Sequence, residues 1–203
     1  MKEKWNMGLA IVLMVLFALT RWPGLMPPSF SAAYGLMFCA GVYFTGRLVW
    51  LPVITMLFTD VLLNVFAYET APFNDYMLVN YAAYGGILLL GRAFGPRRSW
   101  FALLGGGLLG AILFYLLTNT AAWLQNPEYQ KTLAGWIQAL TVGTPGWPHT
   151  WEFFRNTLTS GGLFTGLFAG AMKLSGAEEV SDEESEEEAE PESAPAPEES
   201  KAS

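Results

Sequence analysis

Asp60 is the residue here whose type and position most invite chemistry, because it is a carboxylate set inside an apolar run, LVWLPVITMLFTDVLLNVFAY, from Leu48 to Tyr68. One helical turn later, on the same face, stands Asn64. A carboxylate at such a depth costs about 2.5 to 3.5 kcal/mol on insertion, so it should face the protein interior and meet either a structural partner or a solute. Other chemistries are excluded by what the chain lacks. An intramembrane aspartyl protease needs two carboxylates, and Asp60 is the only acidic residue away from the ends of an apolar run. There is no G-x-S-x-G to activate a serine and no P-loop to use a nucleotide. One cysteine, Cys39, and one histidine, His149, cannot make a metal cluster within one chain. Cys39 reads as a small packing residue and His149 as a solvated loop residue. The expectation is a protein that is not an enzyme and holds no cofactor or metal.

The elements that would position Asp60 are themselves apolar. Of 203 residues 52% are hydrophobic and 15% aromatic, which predicts an all-α integral membrane protein. Six spans are expected, at about 5–20, 31–45, 48–68, 76–94, 100–123 and 151–174. The first follows MKEK with no small-x-small cleavage site, so it reads as a helix rather than a removed leader. The turn RWPGLMPPSF, with three prolines, breaks the pattern after it. Between the last two spans, KTLAGWIQALTV has helical spacing and is expected to lie along the interface. Gly162, Gly166 and Gly170 share a face of the sixth span and read as an intramolecular packing face or, alternatively, as a docking surface for a membrane partner. From Ala177 to Ser203 the chain carries 12 acidic residues and one basic residue, which predicts a disordered tail. The net charge of −7 is thus a property of that tail, and no nucleic-acid partner is expected.

Basic residues set the orientation. With the N-terminus inside, Lys2, Lys4, Arg47, Arg92, Arg97, Arg98 and Lys173 fall on the cytoplasmic side, and Arg21, Lys131 and Arg155 on the other. Both termini are then cytoplasmic in the cell (inner) membrane. In that frame the polar residues collect in the outer half: Asp60 and Asn64 on the third span, Asn80 on the fourth, Asn119 on the fifth, Arg155 and Asn156 on the sixth. A height difference of roughly 6 Å, at 1.5 Å per residue, puts Arg155 within reach of Asp60. Two readings stay open. Asp60 and Arg155 form a structural pair that holds helices in register, or with the asparagines they line an outward-facing cavity for a small solute.

The segments PPSFSAAYGLMFCAGVYF, FTDVLLN, TNTAAWL, YQKTLAGWIQAL and FFRNTLTSGGLF, in this order between Arg21 and Gly170, resemble a family of uncharacterised bacterial membrane proteins described as transport proteins. That family is similar in fold and topology to the substrate-capturing S components of energy-coupling-factor vitamin transporters. The resemblance implies six helices and solute capture. Its motifs fall here on Thr59-Asp60, Thr118-Asn119, Lys131 to Gly135, and Arg155 to Leu158. The alternative function is a structural or assembly subunit of a membrane complex.

Overall fold

A computed structural model describes residues 7–189, with side chains from residue 11 to residue 175. The described residues are all-helical: α1 (Met7–Thr20), α2 (Ala33–Tyr43), a 3-10 turn (Gly46–Val49) that leads into α3 (Trp50–Phe66), α4 (Asp75–Phe94), α5 (Trp100–Gln125), α6 (Leu133–Thr141) and α7 (Thr150–Ala189). Three helical segments, Gly46–Phe66, Asp75–Phe94 and Trp100–Gln125, are long and apolar enough to cross a membrane. The start of the expected first span, with Lys2, Lys4 and Trp5, lies outside the described residues.

The centre of the bundle is α2. Its sequence, AYGLMFCAGVY, is apolar on every side, and every one of its residues is buried. At 1.5 Å per residue it is roughly 16 Å long, about half the hydrocarbon thickness. It is wrapped by α4, α5 and α7, with α1 and α3 along its remaining side. A short helix buried in apolar surroundings needs its end groups met locally. The Ser31 hydroxyl accepts from the Ala33 N–H at 3.2 Å. The Thr20 hydroxyl accepts from the Ala32 N–H at 3.2 Å and donates to the Phe17 carbonyl at 2.8 Å, which ties the end of α1 to the start of α2. The helix around Asp60, by contrast, is peripheral. In α3 only Pro52, Met56 and Leu63 are buried, while Trp50, Ile54, Phe58 and Phe66 are exposed.

Small residues let the helices meet. A Cβ at Gly41 of α2 would overlap the Leu88 carbonyl of α4, and a Cβ at Gly91 of α4 would overlap the Phe38 carbonyl of α2. The two backbones therefore touch, a closeness that only glycine permits. The ring of Phe38 continues the contact, edge-on to Phe94 with centroids 5.4 Å apart. On the face of α7 that carries Gly162, Gly166 and Gly170, the first two pack on α5 within the chain. A Cβ at Gly162 would meet Leu108 at 3.0 Å and one at Gly166 would meet Trp100 at 3.2 Å, and the Trp100 indole N–H donates to the Gly166 carbonyl at 3.0 Å. Small residues at four-residue spacing mark close approach, and the nearest available helix was inside the same chain.

At the opposite end of α5, α6 folds back on the bundle. The Tyr115 hydroxyl donates to the Leu140 carbonyl at 2.6 Å, and the Trp136 indole N–H to the Thr120 hydroxyl at 2.9 Å. The segment from Lys131 to Gly135 makes this fold-back. Lys131 donates to the Trp123 and Asn126 carbonyls at the end of α5, where the helix dipole favours a cation. Thr132 caps α6 by accepting from the Gly135 N–H at 3.2 Å, and a Cβ at Gly135 would overlap the Gln130 carbonyl. The last helix, α7, runs to Ala189, so the boundary expected at residues 176/177 falls inside it. Adding residues to a formed helix is far easier than nucleating one, and glutamate and alanine are good helix formers. Residues 190–203 of the expected tail lie outside the described residues.

Candidate functional site

Asp60 is held by two partners from two other parts of the chain. Arg21, in the turn just after α1, donates through Nη2 to Asp60 Oδ1. Tyr81 of α4 donates its hydroxyl to Asp60 Oδ2 at 2.7 Å. The Arg21 and Asp60 side chains are only 18% and 17% exposed, and the guanidinium lies 5.5 Å from the Phe17 ring centroid. Each charge therefore keeps a counter-charge at a place where water is scarce, which is what makes an ionised side chain tolerable there. The three groups form a clasp across α1, α3 and α4. With both carboxylate oxygens engaged, Asp60 is poorly placed to act as a base. No group of three or more candidate metal ligands occurs among the described residues.

The expected pair of Asp60 with Arg155 is corrected. Arg155 is exposed on α7 and stacks over the Trp151 ring at 5.5 Å, while α3 packs on α1 and α2 and is bonded to α4 through Tyr81. Two residues expected at one height meet only if their helices are adjacent. Three of the asparagines make bonds away from Asp60. Asn64 closes the α3–α4 loop, its amide donating to the Pro72 carbonyl at 3.2 Å and its carbonyl accepting from the Thr70 N–H at 2.8 Å. Asn119 donates to the Tyr115 carbonyl of its own helix at 2.9 Å. Asn156 donates to the Pro28 carbonyl at 2.9 Å and so anchors the α1–α2 connection to α7. Asn80 is half-buried on α4, beside Tyr81 in sequence.

Beside the clasp lies a groove of about 340 Å³ between α3 and α4. Met37 of α2 contributes to it, with Val53 and Met56 from α3 and Tyr84, Gly85 and Leu88 from α4. Tyr81 stands toward one end, joining the groove to the clasp, and Arg92 toward the other. Beyond Tyr84 an aromatic cluster continues inward, Tyr84 to Phe114 at 4.7 Å and Phe114 to Tyr34 at 4.9 Å. Arg21, Tyr81, Gly85 and Arg92 were not read from the sequence as site residues. Arg21 carries a usable signal, since a cation directly after one apolar run is a natural partner for a carboxylate in the second half of another. It was counted as a loop charge instead.

Fold and site together show, among the described residues, an all-helical arrangement with three segments able to cross a membrane, a half-buried ion pair, and an apolar groove next to it. The chain belongs to a family of unknown function (DUF6580), whose model matches residues 1–184. No curated protein matches it.

Proposed function

We propose that this is a six-span protein of the cell membrane that captures a small solute, in the manner of an S component, and that the α3–α4 groove is its site. The observation that carries the reading is the groove: its volume of about 340 Å³ is in the range of small-molecule sites, and apolar walls with a few polar groups at the ends are the usual make-up of one. The clasp supports it by holding α3 against α1 and α4. In this reading the residues at Thr118-Asn119, Lys131 to Gly135 and Asn156 build the scaffold. The assembly-subunit reading is favoured by that same observation, that the quoted motifs make local structural bonds.

Native mass spectrometry of the gently solubilised full chain separates the two. A bound small molecule is expected in the wild type and should be lost in Gly85→Leu, where the new side chain enters open space in the groove. Equal spectra for both proteins would favour the assembly subunit.

The topology we propose places α1, α2, α3, α4, α5 and α7 as the spans, with the N-terminus and the C-terminal tail in the cytoplasm. The short α2 completes its crossing with the α1–α2 connection, which dips into the bundle at Arg21. Pairing of Arg21 with Asp60 removes one cation from the outer count and strengthens the charge asymmetry. With Cys39 replaced, Pro72→Cys is expected to react with an impermeant maleimide in intact cells, and Ser99→Cys only after the membrane is opened. The opposite pattern reverses the topology.

A further inference from the structure

We infer that the occupant of the α3–α4 groove is an anionic phospholipid from the leaflet on the Arg92 side, its phosphate taken by Arg92 and one acyl chain laid along the groove. This rests on the groove being the binding site.

Three observations converge on that occupant. The groove is walled by Val53 and Met56 on one side and Leu88 and Leu89 on the other, so its body accepts hydrocarbon. Its flanks, Ile54 and Phe58 on α3 and Leu89 on α4, are exposed apolar side chains on segments long enough to cross a membrane, so it is entered from the bilayer. From Tyr81 to Arg92 it runs along eleven residue steps of α4, roughly 16 Å at 1.5 Å per residue, or about half of a bilayer's hydrocarbon. One leaflet's acyl chain has that reach.

Charge decides the headgroup. Arg92 lines the groove at the end of the molecule that also carries Arg47, Arg97, Arg98 and Lys173, the last bonded to the Pro96 carbonyl at 3.5 Å. Among the residues with described side chains no carboxylate lies at that end. Asp60 is engaged by Arg21 and Tyr81, and Glu69, Asp75, Glu128 and Glu152 belong to the connections and helix starts at the other end. A guanidinium at the mouth of an apolar groove between membrane helices matches a phosphate in charge and in fork geometry. A zwitterionic headgroup carries a cation of its own and gains less.

The test uses the full chain, delipidated in detergent and offered phosphatidylglycerol or phosphatidylcholine with identical acyl chains, with binding read by native mass spectrometry. The wild type is expected to prefer phosphatidylglycerol by about tenfold, the scale of one charge-assisted hydrogen bond. Arg92→Gln should abolish the preference while residual binding remains, and Gly85→Leu should lose both lipids. Equal affinity of the wild type for the two lipids, with both still lost in Gly85→Leu, would overturn the headgroup assignment and leave the groove as a site. Binding that survives Gly85→Leu would remove the groove itself. A photoreactive benzoylphenylalanine in place of Leu89 is expected to cross-link to lipid; cross-links to residues 177–203 would make the acidic segment the occupant and defeat the inference.

Discussion

Asp60→Ala is expected to destabilise the protein by about 3 to 5 kcal/mol, because it leaves the Arg21 guanidinium buried without its counter-charge. Arg21→Ala should cost a similar amount, since it strands the carboxylate in α3. The double variant should cost much less than the sum, as it removes both charges and leaves a gap that apolar neighbours and lipid can line. Tyr81→Phe deletes one hydrogen bond to an ionised group and should cost about 1.5 to 3 kcal/mol. Arg155→Ala, whose side chain is exposed over Trp151, should stay within about 0.5 kcal/mol of the wild type. Chemical denaturation in a fixed detergent measures all five. Additive losses at Asp60 and Arg21, or coupling of Asp60 to Arg155, would show that the clasp has been assigned to the wrong partners.

Gly41→Val is expected to be at least as damaging, by about 3 kcal/mol or more, through overpacking rather than charge. A Cβ at this position falls on the Leu88 carbonyl, and relief requires α2 and α4 to part. Parting them would also break the contact at Gly91 and unseat Phe38, which lies wholly buried against Gly106 and Phe94. Neither helix can slide, because α2 is enclosed by α5 and α7 as well. Gly85→Ala on the same α4 is the control. A Cβ there meets nothing within 4 Å, so the change should be neutral or stabilise by about 0.5 to 1 kcal/mol through helix propensity. Folded yield and denaturation midpoints of the two variants give the comparison, and wild-type behaviour of Gly41→Val would refute the close α2–α4 contact.

The contrast between these two glycines shows how far pattern reading extends. Both lie in apolar helices, and nothing in their sequence neighbourhoods says that one touches a carbonyl and the other faces an open groove. The expected Asp60–Arg155 pair failed for the same reason. Its heights were estimated from chain position, which the sequence contains, and its adjacency from a helix arrangement, which the sequence does not state.

The helices themselves are legible from the chain because their causes are local. Apolar length placed the expected spans at 76–94 and 100–123 close to the observed Asp75–Phe94 and Trp100–Gln125. Their starts are capped by Asn74 and Ser99, whose side chains accept from Met77 and Ala102 N–H groups. Gly95, with φ of 72°, ends α4 just ahead of Arg97 and Arg98. Tertiary structure alone made α2 the centre and α3 the flank, gave Asp60 to Arg21 and Tyr81, turned the quoted motifs into capping and loop bonds, and opened a groove beside Gly85. The physical reason is that hydropathy and capping sum over neighbours along the chain, whereas a buried charge or a bare backbone is satisfied by whichever helix packs beside it.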